Sequence, residues 1–375
     1  ADAQGKWAMK IETPQAGGPY ELSLSDGKEL KLHNILIGEV WICSGQSNME
    51  MPMKGFKAQP VAGTPEELMR CKDQQLRLFT VQRNAQLHPV DTVAGDWKEA
   101  DAASVREFSA AAYYYGKTLR QSLGVPVGLI VTSWGGSACE AWINGNLIKS
   151  DWLKAFPKLH TPWNEADVKK YQQRCPSALY NGMLHPLIGY TMKGVIWYQG
   201  EDNCNRYATY ADQMQTLVNS WRKEWKQGIF PFYYCQIAPY DYSLIKWKNN
   251  SALLREKQME AEKRISNCRM AVLLDAGLEY GIHPRKKKEV GERLALLSLA
   301  NTYGQKGLPD FAVYKSVEFK GDTAVVSFDR SKEWVYFNNG PKSDNFEIAG
   351  EDQVFHKAQA WISRNKVYVK SEEVK

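Results

Sequence analysis

Hydrophobic residues recur along this chain in three rhythms. In Trp7–Ile11, Tyr20–Leu24 and Leu30–Leu32 they alternate with polar ones, with Gly17-Gly18-Pro19 and Asp26-Gly27 between. Period-two segments split by turn dipeptides predict antiparallel strands. Further on, the apolar residues gather into short runs: Ile35–Ile42, interrupted by Gly38 and Glu39, then Leu76–Val81, Val125–Val131, Gly194–Tyr198, Phe230–Ile237 and Met270–Leu274. Such runs predict strands buried on both faces. Between them the spacing changes to three and four. Phe108, Ala111, Ala112, Tyr115 and Leu119 mark one helical face, and Tyr210, Met214, Leu217, Val218 and Trp221 another. Helices are also expected at Pro65–Met69, opened by Thr64, at Leu253–Ile265, and after Pro284 to about Tyr303. Beyond Gly307 short strands return at Phe311–Tyr314, Ala324–Phe328, Phe346–Ala349 and Val367–Val369. Helices alternating with buried strands predict an α/β domain over residues 35–306, with small antiparallel β units over residues 1–34 and 307–375.

Composition narrows the function classes. At 375 residues the chain suits one large α/β domain with smaller attachments. Its 13 Trp and 19 Tyr fit sugar-facing surfaces and a densely packed core alike. The net charge is +6, but the signs are mixed, and the run Arg285–Lys288 is followed by Glu289 and Glu292 in helical spacing. That predicts a solvated helix start. Without a basic stripe interleaved with aromatics, no nucleic acid partner is expected. Seven widely spread cysteines show no metal-site spacing, so no metal is expected. Those inside apolar strands read as small buried hydrophobes, while a disulfide involving Cys175 or Cys204 stays open. No run of 18 apolar residues exists, hence no membrane span. The opening residues ADAQGKW carry no signal peptide, which is also what a cleaved leader leaves behind. The irregular stretch Trp152–Arg174 reads either as a lid or specificity insertion or as an ordinary surface excursion.

Polar residues gather at three strand ends: Ser44-Gly45-Gln46-Ser47-Asn48, Ser133-Trp134-Gly135-Gly136-Ser137 and Gln199-Gly200-Glu201-Asp202-Asn203. Each alone reads equally well as a turn. Ligands of open α/β sheets sit outside the carboxyl ends of the strands, so the three together predict one cleft. A nucleophilic serine there needs a base and an oxyanion hole, and paired glycines let backbone N–H groups approach a ligand. Of the six histidines, His283 stands between the last core strand and a helix, where a strand-end loop crosses the cleft; His185 is the next candidate. The group orienting the imidazole is left to Glu279, Asp275 or a loop carbonyl.

SGQSNM at Ser44–Met49, SWGGS at Ser133–Ser137, WYQGEDN at Trp197–Asn203 and IHPRKKKEVGERLA at Ile282–Ala295 resemble the blocks of the sialate O-acetylesterase family within the SGNH hydrolases. The likeness extends through FSAAAYYYGK, GVPVGLI and YNGM, from about Gly38 to Leu297. It implies a three-layer, flavodoxin-like α/β/α SGNH hydrolase domain. Ser47 would be the nucleophile and His283 the base. The oxyanion would face the N–H groups of Ser47 and of Gly135 or Gly136. Gln199 or Asn203 would stand in for the asparagine that usually completes the hole. Gln46, Glu201 and Asn181 are candidate substrate-site residues, Glu201 alternatively a buttress. Tyr280 stands where the superfamily's DxxH aspartate would be, which leaves the third member of the triad open.

The activity implied is that of a secreted or periplasmic carbohydrate O-acetylesterase working through an acetyl-serine intermediate, without metal or organic cofactor. Its leading substrate is O-acetylated sialic acid. Alternatives are another acetylated sugar such as acetylated xylan or a pectin-type side chain, a non-catalytic carbohydrate-binding protein, and a thioesterase or lipase on the same fold. Relatives often continue with further strands past the point where Lys375 ends this chain, so a fragment or a variant with trimmed attachments is expected.

Overall fold

The alternating stretch folds into a hairpin of β1 (Gly17–Ser25) and β2 (Glu29–Ile37), with Leu24 opposite Leu30. The expected strand Trp7–Ile11 lies outside the residues that this computed structural model describes, which are 12–242, 250–308, 310, 312–330, 335–337 and 340–374. The apolar run Ile35–Ile42 is two strands instead of one: Ile35–Ile37 ends the hairpin, and β3 (Glu39–Gly45) begins after Gly38. A Cβ on Gly38 would lie 2.1 Å from the Pro126 carbonyl oxygen, so the backbones touch where the chain changes sheet.

Past β3 come α1 (Ser47–Glu50), α2 (Thr64–Leu68), β4 (Asp73–Thr80), β5 (Trp97–Ala100), α3 (Ala102–Glu107), α4 (Ala110–Leu123) and β6 (Val127–Ser133). They are followed by α5 (Glu165–Tyr171), β7 (Gly194–Tyr198), α6 (Tyr210–Trp225), β8 (Phe232–Cys235), α7 (Asn250–Arg264), β9 (Cys268–Ala271) and α8 (Lys287–Asn301). Seven strands form one sheet in the order β5-β4-β6-β3-β7-β8-β9, parallel except for the edge strand β5. The four residues of β5, Trp-Lys-Glu-Ala, are too short and too polar to register as a buried run. Met270–Leu274 leaves the sheet early; Leu274 is exposed.

Successive residues of β3 bury on opposite faces, as the pleat requires. Trp41 packs edge-on to Tyr115 of α4 and stacks near Tyr233, with its indole N–H donated to the Tyr303 hydroxyl. Ile42 joins the other face's cluster with Trp197, Trp221 and Phe232. Helices α4 and α8 thus cover one face and α6 and α7 the other, giving three layers. Ser109 caps α4 by accepting the Ala112 N–H, while its hydroxyl donates to the Met49 carbonyl, which anchors α1 to α4. Trp41, Trp142, Trp152, Trp197 and Trp221 are all fully buried, so much of the aromatic content is core. All seven cysteines are free and buried, and burial pushes every thiol above its ordinary range.

The chain divides into two compact units between Tyr303 and Gly304. The second unit is an antiparallel sheet of β10 (Val313–Lys320), β11 (Thr323–Asp329), β12 (Lys342–Ala349), β13 (Phe355–Ser363) and β14 (Lys366–Lys370), in the order β10-β11-β14-β13-β12. Phe311 of the expected first strand falls outside the described residues. Strand β13 escapes the hydrophobic pattern because its core positions are the small Ala358 and Ala360.

Candidate active site

Strand β3 lies between β6 and β7, and the chain crosses from one side of β3 to the other between those two, so a crevice opens at their carboxyl ends. The end of β3 is held there by close backbone contact. Gly45 has φ +136°, and a Cβ on it would sit 2.1 Å from the Tyr198 carbonyl oxygen; the next residue, Gln46, donates its N–H to that same oxygen at 2.9 Å. Ser47 therefore opens α1 at a fixed place, partly exposed, with its own N–H in the first turn, where no intrahelical acceptor exists. The loop after β6 lies against it. A Cβ on Gly135 would approach the Ser47 Cβ to 3.3 Å and the Glu50 carboxylate to 3.0 Å, so any side chain there would crowd both.

A cavity of about 450 Å³ results, lined by Gln46, Ser47, Gly135, Gly136, Glu201 and His283. Larger cavities lie around Asp322 and Lys370–Glu372 and around His33, Arg77 and Trp97 near the starts of β3 and β6; neither of these linings pairs a serine with a histidine among the described residues.

His283 is half-buried, and its Nδ1 lies 2.6 Å from the Gln59 side-chain oxygen. An amide oxygen only accepts, so Nδ1 carries the proton and Nε2 keeps its lone pair. The Phe56 ring meets the imidazole edge-on at 5.1 Å. Phe56 and Gln59 belong to one tight turn closed by reciprocal backbone hydrogen bonds, and Ala62 N–H binds the Arg285 carbonyl, tying that turn to the histidine loop. Burial, and then the Lys287 charge, lower the His283 pKa to about 4.

Neither carboxylate considered for the third position reaches the ring. Asp275 forms a two-pronged pair with Arg293 at 2.6 Å, and Glu279 engages the Tyr280 hydroxyl. Gln59, a neutral amide from a distant loop, holds the imidazole instead. Replacing Gln59 by alanine should lower kcat by about 10²-fold through loss of orientation. Gln59→Glu should keep the orientation and raise the imidazole pKa, moving the acid limb of the pH–rate profile upward. Steady-state kinetics across pH check both.

Several other expected positions are occupied by structural bonds. The Gly135 N–H is spent on the Glu50 carboxylate at 2.8 Å, whereas no acceptor takes the Gly136 N–H among the described residues. Gln199 donates to the Ser137 carbonyl and to Asn203, and accepts from Tyr210. Asn203 accepts the Cys139 N–H and donates to Glu140 and Gln213. Both are fully buried, so neither faces the cleft. Asn181 pins the carbonyls of Gln86 and Leu87, away from the cavity lining. Gln46 does face the cleft. Its side-chain oxygen accepts from the N–H groups of Gly200 and Asp202, leaving its amide nitrogen without a partner among the described residues.

Two charged networks flank the site. Beneath Ser47, the Asn48 amide nitrogen donates to Glu201 at 2.6 Å and to the Ile282 carbonyl at 3.0 Å, and its oxygen accepts from Lys287. Beside it, Arg206 binds Glu140 at 2.9 Å and Asp202 at 2.9 Å, and Asp202 is paired again by Arg174. Arg174 ends the excursion that began at Trp152, and with Arg83 it lines the cleft, each guanidinium about half exposed. Gln59, Phe56 and Arg174 carry no motif of their own, and Lys287 lies in the Ile282–Ala295 block with nothing to mark it out from its basic neighbours. Only proximity in the fold reveals them. Among the described residues, no group of three or more His, Cys, Asp or Glu is placed to hold a metal ion, and no helix is long and apolar enough to cross a membrane.

A three-layer α/β/α sandwich that presents a serine from the end of a central strand, with a histidine from the loop before its last helix, has the build of an SGNH-type carbohydrate esterase. Residues 37–296 match the model of the family described as carbohydrate esterase, sialic acid-specific acetylesterase, and the chain belongs to that family. It is 30% identical over 358 residues to the sialate O-acetylesterase of Rattus norvegicus, covering 80% of this chain and 64% of that protein. It is 31% identical over 334 residues to the human enzyme of the same name, covering 80% of this chain and 61% of that protein. The chain thus spans less than two thirds of these relatives. A crystal structure of a carbohydrate acetylesterase from Xanthomonas citri superimposes with a TM-score of 0.87 at 34% identity, over 99% of this chain and 81% of that one.

Proposed function

We propose that this chain is a serine hydrolase that removes O-acetyl groups from carbohydrates. The observation that carries the reading is the shared cleft of Ser47 and His283, with the Nδ1 proton of His283 committed to Gln59 and Nε2 left as the base. Ser47 Oγ attacks the acetyl carbonyl while Nε2 takes its proton. The tetrahedral oxyanion forms against the N–H groups of Ser47 and Gly136, with the unspent Gln46 amide as the third donor. Collapse expels the sugar alkoxide, which takes the proton from His283. Water, activated by the same imidazole, then attacks the acetyl-serine, and acetate leaves. A cleft of about 450 Å³ suits a sugar unit.

The substrate class we favour is an acidic sugar such as O-acetylated sialic acid. The family match supports it, and so do the cleft's cations. Arg83 spends Nε and one terminal nitrogen on Glu50, and Arg174 spends one nitrogen on Asp202. Both keep N–H donors in the fork that suits a carboxylate, which a neutral acetylated xylan would not need. Acetate release should therefore be faster from O-acetylated sialic acid than from acetylated xylo-oligosaccharide. Arg174→Ala should raise KM for the acidic sugar by about tenfold while leaving hydrolysis of p-nitrophenyl acetate unchanged. Equal rates on both sugars, unaffected by Arg174, would point to neutral polysaccharide. Sugar binding with no ester hydrolysis would overturn the enzymatic reading.

A further inference from the structure

Lys287 is the least expected group near the cleft. It opens α8, four residues after His283, yet its side chain is fully buried. An ammonium removed from water needs compensation. Here it comes from three elements: the Asn48 side-chain oxygen on α1, the Tyr198 ring of β7 at 5.6 Å, and the Glu201 carboxylate after β7. Glu201 is itself buried, one oxygen held by Asn48 and the other without a partner among the described residues. Asn48 joins them, and the same amide nitrogen grips the Ile282 carbonyl beside His283. One side chain therefore links the residue after the nucleophile, the residue before the base, and a buried opposite-charge pair.

We propose that Lys287 is a positioning residue for the Ser47–His283 pair: carried on Asn48, its ammonium fixes the turn that presents Ser47 and, through the bond of the same amide to the Ile282 carbonyl, the loop that carries His283. The proposal rests on the reading of Ser47 and His283 as the reacting pair. The buried charge also bears on the acid limit. A base that stays neutral well below the ordinary imidazole range keeps accepting protons in mildly acidic surroundings. The groups facing His283 are Gln59 and Phe56 from the turn, Lys287 from α8, and the cleft charges Glu50, Arg83, Arg174, Glu201 and Asp202. Those facing Lys287 are Glu201, Asn48, Tyr198 and, from β8, the Cys235 thiol. Burial depresses the Lys287 pKa to about 7, with Glu201 opposing, so the ammonium is present throughout the acid range in which His283 titrates.

The test compares wild type with Lys287→Met, which removes bond and charge, and Lys287→Gln, which keeps an amide donor without the charge. The readouts are the pH dependence of kcat/KM on p-nitrophenyl acetate and the titration of the His283 ring by NMR. Wild type is expected to titrate near pH 4 in both. In each variant the two midpoints should rise together, by about half to one pH unit, toward the ordinary 6.5. Lys287→Met should also lose about 10²-fold in kcat. A folded variant with reduced kcat and unmoved midpoints would overturn the proposal, leaving Lys287 a packing residue. So would a folded Lys287→Met variant whose kcat is unchanged. Absence of esterase activity in wild type would sink the catalytic reading, while the NMR titration would still decide whether Lys287 acts on His283.

Discussion

Replacing Ser47 by alanine is expected to lower acetate release from an O-acetylated sugar by about six orders of magnitude, and His283→Ala by a comparable factor. The size follows from the shared task. Without the hydroxyl there is no acyl-enzyme, and without Nε2 the hydroxyl cannot lose its proton as it attacks. The double variant should therefore be no worse than either single one, because groups acting as a unit are not additive. Residual catalysis would come from the backbone donors at Ser47 and Gly136. Initial rates of acetate release by the three variants, each checked for native circular dichroism, measure the effect. A Ser47→Ala variant within tenfold of wild type would move the nucleophile elsewhere.

Arg206→Ala should destabilise the first unit by about 3–5 kcal/mol at pH 7, the usual consequence of stranding buried charge. Burial pushes the Glu140 carboxyl up, and Arg206 more than offsets this, leaving it below the usual carboxylate range. Glu140 is completely buried, so it has no water to turn to once the guanidinium is gone. The sign of the pH dependence follows. In wild type the pair contributes stability above the unfolded carboxylate pKa and loses it as pH falls through the lower folded value. In the variant the lone carboxyl is raised, so its cost is relieved as pH falls. Both effects shrink the difference on acidification, and urea unfolding at pH 7 and pH 4 should show it. Because Asp202 also loses a partner, Arg174 should become more mobile at the cleft wall.

Much of this architecture was legible in the chain. The strands β6 and β7 announce themselves as apolar runs, β3 as the latter part of an interrupted one, and the helices α4 and α6 by their spacing, because burial on two faces or one leaves a periodic trace. The cleft was legible for the same reason: glycine and serine at a strand end stand out against the Val and Ile that precede them. What carried no trace were contacts made by tertiary approach. Gln59 sits more than two hundred residues from His283, in a turn with no apolar rhythm, and nothing marks it as that ring's partner. Gln199 and Asn203 mislead in the opposite direction. Their motif is conspicuous, yet their side-chain polar atoms are absorbed by bonds to each other and to the neighbouring segments at Ser137–Glu140 and Tyr210–Gln213. Lys287 sat inside a basic run that reads as solvated, and helical phase alone turned one lysine of that run into the core.

The seven unpaired thiols give the molecule an unusual practical property. Each is shielded from solvent, and burial favours its unreactive protonated form, so the native chain is expected to be silent toward maleimide and iodoacetamide reagents. One cysteine introduced at a solvent-facing position of the histidine loop, such as Tyr280, which is 73% exposed, would be the sole accessible handle. A spin label or fluorophore placed there would report on the rim of the cleft as sugar enters, with no need to strip the native sulfur atoms from the core first.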